Sequence, residues 1–500
     1  MLRGLARRES RCEVGDANPD PLLSPSSDES SHKNESRSTN TLLLKLYVIV
    51  FCINLGFQML FPAQTQIYES IYCSQWYKDH PDKRLPENGS IPESYCKIPA
   101  VQTQISTLKG WFMFFNAAPG LLLSIPMGIL TDRIGRRKLI LVNLTSVFLV
   151  QVWTSFISWF GGQIPLRAIW LGTSLNLLTG GTIVLELLYV CILTDISPSD
   201  RVAETFFRTN AFGQLSKVVG PFLAGALMRI DAWLAVYVGL AFMALTVMLA
   251  ATVPETLHWH KSAREDSIEV QGNQDDQTPT TETRKPHLPA LRRLLKIWSD
   301  WRLVFVALTY PFRLICDALG DLLQRYMSNR YGWTLANATW VYSIQAIFAG
   351  LVLFTLLPFI SGQIDRRFDF SIIQKNVILS RAALLMVAIA YTVIGLAPNA
   401  VVMMLGLLIE TLSTGYPSTL RAIATALVSE NDRGSVFSVL SIAETLSTMM
   451  AYPITAALFN IGIEKGGGAW LGLPYDIIAV VAVVSLVAMC LVRFERPVRL

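Results

Sequence analysis

Apolar windows long enough to cross about 30 Å of hydrocarbon recur along this chain near residues 42–62, 111–130, 139–160, 168–194, 206–228, 232–253, 302–325, 338–360, 377–397, 400–428, 435–460 and 474–493. The pattern predicts an all-α membrane protein of about twelve transmembrane helices. Hydrophobic residues make up 52% of the chain and charged residues 16%, and the mean hydropathy is +0.41, a balance too apolar for a soluble globule. Residues 1–41, rich in Ser, Asp, Glu and Arg, contain no short apolar core of a cleavable signal, so the first window is expected to insert the chain and the N-terminal segment to be disordered and cytoplasmic.

Charge orients the predicted helices. Arg133, Arg136, Arg137 and Lys138 crowd a short connection between the second and third windows, and further cations follow the sixth, eighth and twelfth. Cationic loops stay inside. The first outer connection balances Lys78, Lys83 and Arg84 against Glu69, Asp79, Asp82, Glu87 and Glu93. The net charge of +5 therefore reports topology and does not argue for nucleic-acid binding.

Of the seven cysteines only Cys73 and Cys96 fall in that outer loop, where an oxidising compartment favours a disulfide, with a pair of free thiols as the alternative. Between them Asn88-Gly-Ser90 forms a glycosylation acceptor. No histidine accompanies the cysteines at ligand spacing, so no metal site is expected, and no cofactor is.

Two sequence echoes divide the chain. Ser-Pro-Ser-Asp200-Arg201 returns as Ser-Glu-Asn-Asp432-Arg433, offset by 232 residues. Gly128 to Asp132 returns more weakly in Gly362-Gln-Ile-Asp365. The expected organisation is a six-helix half over 42–253, a polar cytoplasmic linker over 254–300, a second half over 301–493 and a tail over 494–500, with the substrate site between the halves near the midplane.

Each ionised side chain at mid-bilayer costs roughly 2.5–3.5 kcal/mol on insertion scales, so intramembrane charges should face a cavity or a partner. Arg313, Asp317 and Asp321 form a stripe on the seventh helix, spanning about 12 Å at 1.5 Å rise per residue. Arg313 and Asp317 would make an internal ion pair. Gln214 and Lys217 lie on the fifth helix, Asn54 and Gln58 on the first, and Glu186, Glu410 and Glu444 on the fourth, tenth and eleventh. These nine residues, Asp321 excepted, are the candidates for substrate contact and ion coupling; the alternative for each is hydrogen bonding from helix to helix. Asp195 and Arg421 sit nearer the cytoplasmic ends, where gating is the better expectation.

The run Gly128-Ile-Leu-Thr-Asp132-Arg133-Ile-Gly135-Arg136-Arg137-Lys138 resembles the signature loop between the second and third helices of the major facilitator superfamily. The resemblance extends over nearly the whole chain. It implies alternating access, close helix approach at Gly128, and gating by Asp132, Gly135 and the arginines that follow. Gly213, Gly220-Pro221 and Gly225 resemble the glycine-rich fifth helix of the antiporter branch, but Ala224 replaces a glycine of its closing pair, and Asn176 stands near the place of that branch's helix-four arginine. The second half, through Gly415-Tyr-Pro-Ser and Gly466-Gly-Gly-Ala-Trp, resembles a filamentous-fungal branch associated with secondary-metabolite gene clusters.

The expected activity is proton-coupled efflux of a small, partly apolar organic compound by a monomer in the plasma membrane, with the vacuolar membrane as the alternative. A nutrient importer or transporter-like receptor is the second reading. No phosphate-binding loop is present for nucleotide drive, and no nucleophile, base and oxyanion donors fall together as an enzyme would need.

Overall fold

A computed structural model describes residues 28–83, 91–197, 201–255, 309, 312–367, 371–427 and 433–491. The chain falls into two compact units, Met1–Leu44 and Lys45–Leu500, and the second holds the helical bundle. Among the described residues twelve long helical segments follow one another: α1 (Asp28–Asp79), α2 (Pro99–Ile134), α3 (Arg136–Trp159), α4 (Leu166–Ile196), α5 (Val202–Met228), α6 (Ala232–Ala251), α7 (Phe312–Tyr331), α8 (Leu335–Arg367), α9 (Ile372–Leu396), α10 (Ala400–Thr425), α11 (Arg433–Glu464) and α12 (Leu473–Leu491). Ten of them are long and apolar enough over their described residues to cross a membrane; α2 and α7 are the other two.

Several helices outrun their apolar windows. The first extends back to Asp28, into the segment expected to be disordered, and outward to Asp79; α2 begins at Pro99, a favoured first position because proline has no N–H to satisfy. These extensions carry Glu69, Gln102 and Lys109, all buried. Such polar groups erase the hydropathy signal, yet they belong inside because each finds a partner across the bundle.

Apolar packing builds each half, and the α1–α6 cluster also takes in Leu335 and Ala336 of α8. In the first, Met59, Leu60, Ala63, Val236 and Met243 join α1 to α6, and Ile105, Leu108, Val150 and Ile157 join α2 to α3. In the second, Tyr326, Leu384, Tyr391, Leu420 and Tyr475 knit α7, α9, α10 and α12. The halves meet along α2 with α11 and α5 with α8. Small residues allow both crossings. A Cβ on Gly110 would stand 2.9 Å from that of Ala456, and one on Gly225 would overlap the Trp340 ring. The Asp200 and Asp432 echo and most of the linker lie outside the described residues.

Candidate functional site

Two helices are broken at matching places. α4 passes through a 3-10 stretch at Thr173–Leu178 and restarts at Gly181, with Gly180 and Gly181 at φ of +84° and +64°. α10 is interrupted between Thr411 and Tyr416. Gly180 and Leu412 differ by the same 232 residues as the sequence echo, and interrupted helices at corresponding positions mark the binding region in folds of this kind. α8 adds a π-helical turn at Val352–Leu356, a distortion frequent at functional sites.

A cavity of about 340 Å³ lies between the halves, within the size range of small-molecule sites. Gln58 of α1 and Gln214 and Lys217 of α5 face it from one half. From the other come Asp317, Gln345 and Glu410, with an apolar and aromatic wall that includes Leu323, Tyr342, Leu353, Tyr391, Leu407 and Tyr475. Gln345 Nε2 donates to Glu410 at 3.0 Å, and Gln214 Nε2 donates across the halves to the Ala346 carbonyl at 2.8 Å. Five of the nine candidates, Gln58, Gln214, Lys217, Asp317 and Glu410, therefore share one cavity.

Glu444 and Glu186 sit apart from that lining but close to it, for Glu444 lies in the field of Arg421, Glu186 and Asp317. Arg421 approaches Glu444 at 3.7 Å in a half-exposed pair. Asn54 turns inward on its own helix, donating to the Val50 carbonyl at 2.8 Å. The side chains of Arg313 and Asp132 lie outside the described residues. Asn176 is buried, donating to Asn116 at 2.8 Å and accepting from Ser146 at 3.2 Å. It holds α4 to its neighbours at the break.

The signature loop makes its described contacts with the first half and with Glu255 at the start of the linker. Arg136 pairs with Asp195 at the end of α4 and donates to the Cys191 carbonyl, while its backbone N–H reaches Glu255 at 2.9 Å. Arg137 donates to the Ala251 carbonyl at 2.7 Å; Arg133 is exposed. Gly135 has φ of +104°, which L side chains rarely adopt, so the backbone requires glycine there, and a Cβ would also displace the Glu255 carboxylate, 2.6 Å away. Gly128 does not match its expected role in this conformation. A Cβ there would meet only Leu187, at 4.0 Å, so no close helix approach depends on it. In the second half Asp365 takes a hydrogen bond from Lys375 at 2.6 Å.

The face opposite that loop is held by Asp321 and the Cys73–Cys96 pair, both named from the sequence, together with Lys109, Arg325, Lys97 and Arg229, which sequence reasoning passed over. Lys109 of α2 meets Asp321 of α7 at 2.7 Å, and Arg325 meets the same carboxylate at 3.4 Å. Cys73 and Cys96 are joined in a disulfide, with Cα atoms 5.2 Å apart. It fixes a short turn whose Glu93 accepts the Leu335 N–H at 2.8 Å and binds Lys97 at 3.0 Å; Lys97 also holds Glu69. Arg229 donates to Asn337 and lies over the Trp340 ring at 4.1 Å. One signal was available: Arg325 continues the Arg313, Asp317, Asp321 stripe by one more turn. Lys109 gave none, because its neighbours looked like a loop. Asn88 lies outside the described residues.

The Major Facilitator Superfamily model matches residues 46–417. The chain belongs to the Major Facilitator Superfamily. Its curated relatives include the MFS efflux pump atnC of Emericella nidulans, 26% identical over 449 residues covering 86% of this chain and 84% of the relative. The MFS-type transporter aprT of Aspergillus flavus is 28% identical over 490 residues, covering 95% and 92%. Among solved structures, the nucleoside transporter NupG superposes with a TM-score of 0.62 at 13% identity, over 90% of this chain and 100% of that one. The D-xylose-proton symporter gives 0.61 at 11% identity, over 89% and 96%. These two share the fold. Superfamily membership makes the chain a multi-pass membrane transporter, not an enzyme.

Proposed function

We propose that this superfamily member exports a small, partly apolar organic compound, a fungal secondary metabolite or toxic substance, by proton-coupled alternating access at the plasma membrane. The observation that carries the reading is the cavity between the halves, where Lys217, Asp317 and Glu410 interrupt an aromatic and apolar wall. Apolar surface would hold the body of the compound and the charges would orient it. Relatives named as efflux pumps support the direction.

In this reading Asp317 carries the coupling proton. A carboxylate shared by two access states changes protonation as its exposure to water and its distance from a cation change. Lys217 faces the same cavity, and Glu444 and Glu186 stand near enough to pass or repel the charge. Asp132, Gly135, Arg136 and Asp195 would set the cytoplasmic gate, with Glu255 as an added partner, and Arg421 would steady Glu444. Asn88 would carry a glycan on the outer loop.

The test begins with a strain lacking the gene, whose retained intracellular metabolite supplies the cargo. Inside-out vesicles bearing the full chain are then given that compound. Asp317→Asn should abolish accumulation driven by a pH gradient while sparing downhill exchange. Retained pH-driven accumulation would remove Asp317 from coupling and move the role to Glu186 or Glu444; loss of both activities would mark the residue as structural.

A further inference from the structure

Beside the cavity lining, next along α7 from Gly320, two cations share one carboxylate. Asp321 takes Lys109 Nζ at 2.7 Å and Arg325 Nη2 at 3.4 Å, and Lys109 also donates to Thr65 Oγ1 at 2.9 Å. Lys109 is 6% exposed and Arg325 4%. The cluster therefore holds an excess positive charge away from water. Arg325 is also underused. Its Nε and Nη1 atoms are buried with no hydrogen-bond partner among the described residues, although a guanidinium brings a fork of donors matched to an oxyanion.

The cluster borders the cavity. Gly320, next to Asp321, and Leu323 line it, and so do Tyr342 and Tyr475, both of which lie in the field of Arg325. Of the other charges facing the cavity, Lys217 has Asp317 in the same lining, and Glu410 is bonded to Gln345. Lys217 is exposed, so the charged donors left unfilled away from water beside the cavity belong to the Arg325 end. An uncompensated buried ion is costly, and a second anion beside two cations removes that cost.

We infer that the exported compound carries an anionic group, which binds Lys109 and Arg325 in competition with Asp321. The inference rests on the export reading and adds its substrate class, an organic anion. It also gives the compound a means of opening the outer face. Lys109 to Asp321 is a bond between the halves; an anion that takes Lys109 from Asp321 replaces an inter-half contact with a contact to cargo. The differential affinity of the cargo for the separated arrangement then shifts the populations.

The probes are naphthalene-2-sulfonate, charged at every working pH, and naphthalene-2-sulfonamide, of the same shape but neutral at pH 7. Binding to the purified full-length protein is followed by equilibrium dialysis. The sulfonate should bind at least about tenfold more tightly than the sulfonamide, the equivalent of about 1.4 kcal/mol. Arg325→Gln should erase that preference, and Arg325→Lys should recover part of it. Asp321→Asn removes the competing carboxylate and should tighten the sulfonate, opposite in sign to Arg325→Gln; a purely structural cluster would weaken binding in both. Equal binding of the two probes by the unaltered protein, no binding of the sulfonate, or loss in both variants would overturn the inference, and the unaltered protein decides even if a variant fails to fold. None of these results depends on flux, so the export reading stands or falls separately on vesicle transport.

Discussion

The crossing of α2 and α11 on the outer side is tight enough that one methyl group should move the transport equilibrium. A Cβ on Gly110 would lie 2.9 Å from Ala456 Cβ, 3.3 Å from the Tyr452 carbonyl and 3.4 Å from Pro453 Cα. Carbon atoms rest at about 3.5–4.0 Å, so the helices must part by roughly 0.6–1 Å, and the obstacles are backbone or Cβ atoms with no rotamer to yield. Overpacking of this kind costs about 1–3 kcal/mol, and Gly110→Val adds two more methyl groups. Because the contact exists only when the outer face is closed, the penalty falls on that state and favours the outward-open one by about 5- to 150-fold. The reporter is Ser106→Cys, since Ser106 is fully buried beside the Ala456 carbonyl, in a background with Cys12, Cys52, Cys191, Cys316 and Cys490 replaced. An impermeant thiol reagent added outside whole cells should label this cysteine slowly in the parent and much faster with Gly110→Val. Gly213→Ala serves as the control, because a Cβ there meets nothing within 4 Å. Unchanged labelling in Gly110→Val, or an equal rise in Gly213→Ala, would refute the argument from helix approach.

Two further outcomes follow from the same geometry. Replacing Cys73 and Cys96 together by serine frees a loop with a sequence separation of 23 residues, worth about 3 kcal/mol on the chain-entropy model; the melting temperature should fall, and a reductant should lower the parent's while leaving the double variant unaffected. Gly135→Ala forces an L side chain to φ of +104° and ψ of 147° against the Glu255 carboxylate, at about 1–3 kcal/mol for the backbone alone. It should lower thermal stability measurably, whereas Gly362→Ala, inside the last turns of α8 where a Cβ meets open space, should not.

How much of this could be read from the chain depended on how local the cause was. Twelve apolar segments follow from transfer free energies, which act residue by residue. The cavity candidates Gln58, Gln214, Lys217, Asp317 and Glu410 were legible for the same reason: a polar group inside a hydrocarbon-length helix must face something other than lipid. Asn54 obeyed that rule by bonding its own helix at Val50, an outcome periodicity cannot separate from facing a cavity.

What tertiary structure alone decided was pairing. Lys109 and Asp321 are 212 residues apart, and Glu93 and Leu335 are 242 apart; nothing near either residue announces its partner. The polar groups at the face opposite the signature loop hide their own helices from hydropathy, because their desolvation is offset by tertiary partners, some within a half, as Glu69 with Lys97, and some across the halves, as Lys109 with Asp321. The signature loop shows the converse. Its residues were recognisable as a unit, yet that Arg136 would bind Asp195 and Glu255, and that Gly135 rather than Gly128 would be the glycine the backbone requires, depended on where the ends of α4 and α6 come to rest. Sequence determined which groups could not remain in lipid, and the packing of two halves determined which of them meet.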